Sequence, residues 1–168
     1  MQHGFILEDL PESQAWLLSA LHSSFPGIAV RTAGSLREAR EALTVGAGAT
    51  PGPDIALVDL GLPDGSGIEI IELLQRVSPG TLCIVASIYD DDGHVFPALR
   101  AGARGYLLKD QPVAAIVQSL QGIAGGEPPL SPAIARRMLA FFHPESAVQA
   151  KVELTVRETE VLRFIAKG

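Results

Sequence analysis

Five short apolar runs, at residues 5–7, 28–30, 55–58, 82–86 and 105–108, alternate with stretches whose apolar residues recur at helical spacing. Each run is too short for a helix and lacks the alternation of a half-solvated strand. Each therefore reads as a strand buried on both faces of a parallel sheet. Strands alternating with helices over residues 1–125 imply an α/β fold, a doubly wound five-stranded parallel sheet, because right-handed crossovers must cover both faces. Binding chemistry in such a sheet belongs at the carboxyl ends of the strands.

Local signals fix the helices between the runs. Ser35-Leu36-Arg37-Glu38 is a capping box that opens a helix running to about Leu43. Pro112 suits the first turn of a helix carrying Ile116, Val117 and Leu120 on one side. Gly125 to Pro129 punctuates the end of this unit, and Ser131-Pro132, as N-cap and first residue, starts a connecting helix through Ile134, Met138 and Phe142. After a polar stretch, Thr155-Val156-Arg157-Glu158 forms a second capping box, opening a helix with Val161, Leu162 and Ile165 on one face and Gly168 at its C-cap position.

Charge divides the chain the same way. Residues 1–130 hold 7 Lys/Arg against 15 Asp/Glu, whereas residues 131–168 hold 6 against 4, an acidic body with a mildly basic tail that suggests two jobs. The single cysteine, Cys83, lies in an apolar run and reads as a small buried hydrophobe in a reducing compartment. The apolar start at residues 5–7 is cut off by Glu8 and Asp9, so neither a signal peptide nor a spanning helix fits. A cytoplasmic protein with no membrane partner is expected.

Glu8 and Asp9 follow the first run and Asp59 ends the third, so the topology brings three carboxylates to one rim. Clustered carboxylates repel one another unless a cation joins them, and oxygen ligands suit Mg²⁺. Ser87 after the fourth run adds a hydroxyl, and Lys109 after the fifth an ammonium. A carboxylate nucleophile, a divalent site, a hydroxyl and a lysine are what phosphoryl transfer needs, since its catalysis is mostly positioning and charge neutralisation.

These residues carry a resemblance. The segment 54–67, with Asp59 followed by Leu60-Gly61-Leu62-Pro63-Asp64-Gly65, resembles the phosphoacceptor segment of two-component response regulators; the segment 100–110, ending Tyr106-Leu107-Leu108-Lys109-Asp110, resembles their fifth-strand segment. Residues 154–168 are similar to the opening helix of a LuxR-type helix-turn-helix, as in the NarL/FixJ-like subfamily. The resemblance implies a receiver domain at 1–125, a linker with one helix at 126–152 and the first helix of a truncated DNA-binding domain at 153–168. It also implies that Asp59 accepts a phosphoryl group from a sensor histidine kinase. Glu8, Asp9, Asp59 and the Gly61 carbonyl would surround Mg²⁺, Lys109 would contact the phosphoryl oxygens, and Ser87 and Tyr106 would form the switch pair. Such a protein dephosphorylates itself slowly and is no turnover enzyme; it is expected to dimerise and to bind DNA through its complete C-terminal domain, but not through this chain, which holds only that domain's first helix.

Three other readings compete. A haloacid-dehalogenase-like phosphatase needs a DxD motif that Glu8-Asp9-Leu10-Pro11 lacks, and a flavodoxin-like carrier needs a hydroxyl- and glycine-rich phosphate loop in the same place. A pseudo-receiver, acting as a phosphorylation-independent protein–protein module, is disfavoured by retention of the acceptor, acids, serine and lysine.

Particular residues depart from the family pattern. Glu8 stands where many members have aspartate, lengthening one ligand arm; Ile88 and Tyr89 are expected to shield the phosphate from water; Pro97 is expected to kink or shorten the fourth helix. Asp90-Asp91-Asp92 reads as a solvated loop and helix start, Trp16 as core packing, and the four histidines as scattered without metal-ligand spacing.

Overall fold

The computed structural model describes residues 1–44, 52–123 and 126–142. Along the chain run β1 (His3–Leu7), α1 (Pro11–Ser24), β2 (Ala29–Ala33), α2 (Leu36–Thr44), β3 (Ile55–Val58), β4 (Gly61–Leu62), β5 (Gly65–Ser66), α3 (Ile68–Val77), β6 (Leu82–Ser87), α4 (Asp92–Arg100), β7 (Gly105–Leu108), α5 (Val113–Gly122) and α6 (Pro132–Phe142). Five strands form a parallel sheet in the order β2-β1-β3-β6-β7, and β4 and β5 form a small antiparallel ribbon. The doubly wound sheet is as the alternation of runs predicts. Since β1 is followed by β2 on one side and β3 on the other, the switch point of the topology lies between β1 and β3, and Glu8, Asp9 and Asp59 leave the sheet there.

The alternation of side chains along each strand builds two cores. Ile6, Ile55, Leu57, Ile84, Ala86 and Leu107 join Leu17, Ala20 and Leu21 of α1 and Ile116 and Leu120 of α5 in one buried cluster. Phe5, Ala56, Val58, Cys83 and Val85, at the alternating positions, are just as buried. Trp16 packs against the first cluster from a half-buried position. Burial pushes the Cys83 thiol up to about 12, as fits an inert core residue.

The second run is the exception to burial on both faces. Its strand, β2, is an edge strand one residue later than the apolar run, and Ala29, Arg31 and Thr32 are exposed. The Ser35 cap forms, its Oγ accepting from Glu38 N at 3.2 Å, but the Glu38 carboxylate accepts from Gly34 N at 2.8 Å rather than from Ser35 N. Asp64, in the turn of the β4–β5 ribbon, completes the cap by accepting from Leu36 N at 2.9 Å and Arg37 N at 3.1 Å. Hydrogen bonding to these amides and the neighbouring Arg40 hold its carboxyl below the usual range. Pro112 is the N-cap of α5 rather than a residue of its first turn. Pro97 lies inside α4, which spans only nine residues. Asp91 caps α4, accepting from Gly93 N at 2.9 Å.

Past α5 the chain returns to the sheet. Tyr106 N donates to Pro129 O at 2.8 Å, Ser131 N donates to Tyr106 O at 2.9 Å, and Leu130 bridges Tyr106 in parallel. The compact unit accordingly runs from Met1 to Ala135, past the boundary expected at 125. Ser131 does not spend its hydroxyl on capping α6: its Oγ accepts from Leu108 N at 2.9 Å. The second unit, Arg136–Gly168, is described as far as Phe142. The polar linker expected from His143 to Ala150 and the helix expected from Thr155 lie outside the described residues.

Candidate functional site

Three carboxylates arrive from two strand ends. Glu8 and Asp9 follow β1, where Glu8 N donates to Ala33 O at 3.0 Å; Asp59 follows β3, its N donating to Leu7 O at 2.9 Å. One carboxylate oxygen from each of Glu8, Asp9 and Asp59 lies within 4.8 Å of the others. Glu8 is fully buried and Asp59 is only 7% exposed. Asp59 Oδ1 accepts from Leu60 N at 2.7 Å and more weakly from Gly61 N at 3.4 Å, which aims the carboxylate in advance of any ligand. Gly67 permits this packing: a Cβ there would press into the Asp59 carbonyl oxygen and lie 2.9 Å from the Asp59 carbonyl carbon.

Lys109 supplies the opposing charge. It leaves β7 with its N donating to Ser87 O at 2.9 Å, and its Nζ reaches Asp59 Oδ2 at 2.7 Å and pairs with Glu8. Burial raises the Glu8 carboxyl above its ordinary range, with the Lys109 ammonium opposing the rise and the Asp59 charge adding to it. A carboxyl so placed gains from any further cation. The donor set is all oxygen, clustered and negatively charged, and it fits Mg²⁺.

Ser87 ends β6, fully buried, and its Oγ has no hydrogen-bond partner among the described residues. Leaving a buried hydroxyl unsatisfied costs about 1–3 kcal/mol, so a ligand oxygen reaching it would recover that cost. Tyr106 is also fully buried and its hydroxyl donates to Tyr89 O at 2.7 Å; burial first, and then nearby acids, hold its phenol well above the ordinary range. Sequence reasoning misses the arrangement around Tyr89. Its ring stacks on His94 with centroids 4.2 Å apart, and a Cβ at Gly61 would meet it at 3.2 Å. His94 in turn pairs with Asp91 at 2.7 Å. The spacing of Tyr89, Asp91 and His94 around a helix start is the available signal. Ile88, expected to shield alongside Tyr89, is 71% exposed.

Residues 5–121 match the family of response regulator receiver domains. The chain belongs to that family. The receiver is 39% identical over 118 residues to the uncharacterized transcriptional regulatory protein YhcZ of Bacillus subtilis, and 34% identical over 118 residues to the nitrate/nitrite response regulator protein NarL of Escherichia coli K12. Each match takes in 69% of this chain and 55% of the relative, so the chain spans about half the length of these curated relatives. A crystal structure of a LuxR-family two-component response regulator from Aurantimonas superposes with a TM-score of 0.67 at 26% identity, covering 83% of this chain and 96% of that one. The beryllofluoride-activated receiver domain of DrrB shares the fold, with a TM-score of 0.62 at 20% identity over 74% of this chain and 98% of its own. The named relatives are regulators, NarL a nitrate/nitrite response regulator and the Aurantimonas protein a LuxR-family two-component response regulator.

Proposed function

We propose that Asp59 accepts a phosphoryl group from a phosphohistidine of a sensor histidine kinase. A carboxylate oxygen attacks phosphorus, the P–N bond breaks, and the imidazole leaves with its electron pair and takes up a proton. The observation that carries this reading is the ion-paired carboxylate cluster beside a buried, partnerless Ser87 hydroxyl. Glu8, Asp9, Asp59 and the Gly61 carbonyl would hold Mg²⁺, which neutralises charge on the transferring phosphoryl oxygens when bound. Lys109 neutralises a second side of the same group, and Ser87 donates to it, holding the Tyr89–Tyr106 pair in its buried arrangement. The charge added at one carboxylate thus biases a two-state surface.

Such a protein is a signal carrier, not a turnover enzyme. Homodimerisation, a cytoplasmic setting and DNA contact through a complete C-terminal domain belong to the same reading. The relatives' description as transcriptional regulatory proteins supports that output, and among the described residues no helix is long and apolar enough to cross a membrane.

Incubation with acetyl phosphate and Mg²⁺ should add the mass of one phosphoryl group to the intact protein, placed on Asp59 by peptide mapping. Equal labelling of Asp59→Asn, or labelling indifferent to a chelator, would overturn the assignment. The lifetime of the adduct should shorten several-fold in Tyr89→Ala, whose ring covers Gly61 beside the acceptor, and change little in Ile88→Ala, whose side chain faces solvent. Equal decay rates in wild type and Tyr89→Ala would show that the ring does not shield the site.

A further inference from the structure

The outer edge of β7 is occupied by the chain's own continuation. Pro129, Leu130 and Ser131 lie along it as a strap, bonded to both backbone groups of Tyr106, with Ser131 Oγ accepting from Leu108 N. Gln111 Nε2 donates to the same Oγ. Pro129 and Ser131 are buried, as is Ile134 in the first turn of α6. Gly105 makes room for the strap: a Cβ there would collide with the Pro129 ring and stand 2.6 Å from the Pro129 carbonyl oxygen.

An exposed sheet edge invites foreign strands, and covering it is sufficient reason for a strap to exist. This strap, however, grips a residue that is tied to the acidic pocket. From Asp59 a continuous set of contacts runs through Lys109 to the end of β7, where Lys109 N meets Ser87 O. Two residues past Ser87, Tyr89 O accepts the Tyr106 hydroxyl, and the Tyr106 backbone meets Pro129 and Ser131. The buried position of the Tyr106 ring and the docked position of the strap occur in one and the same conformation.

We infer that the strap at Pro129–Ser131 is the element that transmits the state of the Asp59 pocket along the chain, docking more tightly when the pocket holds a phosphoryl group. The inference rests on the reading of Asp59 as acceptor. Filling the pocket gives Ser87 its missing partner and holds Tyr89, and with it Tyr106, in the buried arrangement that the strap recognises. The strap leads directly into α6, so what it reports is passed on in sequence. Coupling of this kind is reciprocal: whatever factor the bound group adds to strap docking, the docked strap adds to binding of the group.

The test uses the whole chain with Mg²⁺ and beryllofluoride, a noncovalent stand-in for the phosphoryl group. Hydrogen exchange at the Tyr106, Leu108 and Ser131 amides should slow by about 5-fold or more on binding, at the lower end of ordinary coupling between sites. Gly105→Ala, which pushes Pro129 away, should speed exchange at these amides and, where it undocks the strap, weaken beryllofluoride binding by up to the factor by which binding slows exchange in the wild type. Ser131→Ala, which removes the Oγ contacts to Leu108 N and Gln111 Nε2, is the milder second variant and should move both readouts in the same direction by smaller factors. Binding with unchanged exchange at the three amides, or a variant whose strap amides have lost all protection yet which binds as tightly as wild type, would overturn the strap's role and leave the acceptor reading standing. Failure of the wild-type protein to bind beryllofluoride and to take up phosphoryl on Asp59 would overturn the acceptor reading, and the strap's role with it.

Discussion

Replacing Lys109 with methionine should cost about 3–5 kcal/mol of folding stability at neutral pH without divalent cation, the range found when one partner of a buried ion pair is removed. The Lys109 side chain is 10% exposed and joins the 10% exposed Asp59 side chain and the fully buried Glu8 side chain. Methionine keeps the apolar stem and deletes only the charge, leaving two carboxylates facing each other. The pH dependence gives the cause away. Burial already holds the Glu8 carboxyl above 4.5, and loss of the ammonium raises it further. The folded state then keeps a proton that the unfolded chain has released, so the variant gains stability as pH falls from neutral toward 4.5 and its deficit shrinks. Mg²⁺ should restore part of the loss by binding only the folded state, and in a Glu8→Gln background Lys109→Met should cost less, because only the Asp59 carboxylate then loses its partner. Urea titrations at several pH values measure all of this. An unchanged midpoint for Lys109→Met at neutral pH would show that the ammonium does not compensate the pocket.

Much of this pocket is legible in the amino-acid order, because a strand buried on both faces must place its first polar residue at its end. Asp59 after Val58 and Lys109 after Leu108 are marked by that change of character alone. What spacing does not reveal is reach. That Lys109 Nζ bridges Glu8 and Asp59, and that Ser87 Oγ is left without a partner, depends on the register of β3, β6 and β7, a relation among residues far apart in the chain. Asp64 belongs to the segment that resembles a phosphoacceptor segment, yet its work is to close the first turn of α2 across the ribbon, a contact set by tertiary packing.

The same distinction explains the fold. Runs with two buried faces locate four of the strands closely, whereas β2 slides toward Ala33 because at an edge the ladder to β1, not apolar content, decides where pairing ends. The compact unit outlasts its Gly/Pro punctuation for a related reason. The run of Gly and Pro up to Pro129 announces irregular backbone, but irregular backbone can still lie on a sheet edge, and Pro129 accepts there through a carbonyl that its missing N–H does not impair. Gly105 holds the information in the sequence, as a strand glycine marking close approach of another backbone.

Gly67→Ala should lower stability by about 3 kcal/mol, the upper part of the range for forcing atoms into a packed site. The residue's φ of −57° is open to any amino acid, so the cost is wholly steric. An added Cβ would press into the Asp59 carbonyl oxygen and stand 2.9 Å from Val58 Cγ1. Neither neighbour can yield cheaply: one is backbone at the end of β3, the other a fully buried side chain. Relief requires α3 and the turn after Asp59 to part, which would lengthen the Gly67 N to Leu60 O bond of 3.1 Å and tilt the Asp59 carboxylate. Phosphoryl uptake should therefore slow even in molecules that remain folded, since a small misplacement of a reacting group is costly. Gly80→Ala is the control, because among the described residues nothing lies within 4 Å of the Cβ it would add. Urea unfolding of both variants, with labelling rates measured well below the transition, separates the two effects. A Gly67→Ala protein as stable and as quickly labelled as Gly80→Ala would mean that close approach of α3 to Asp59 does not set the acceptor's position.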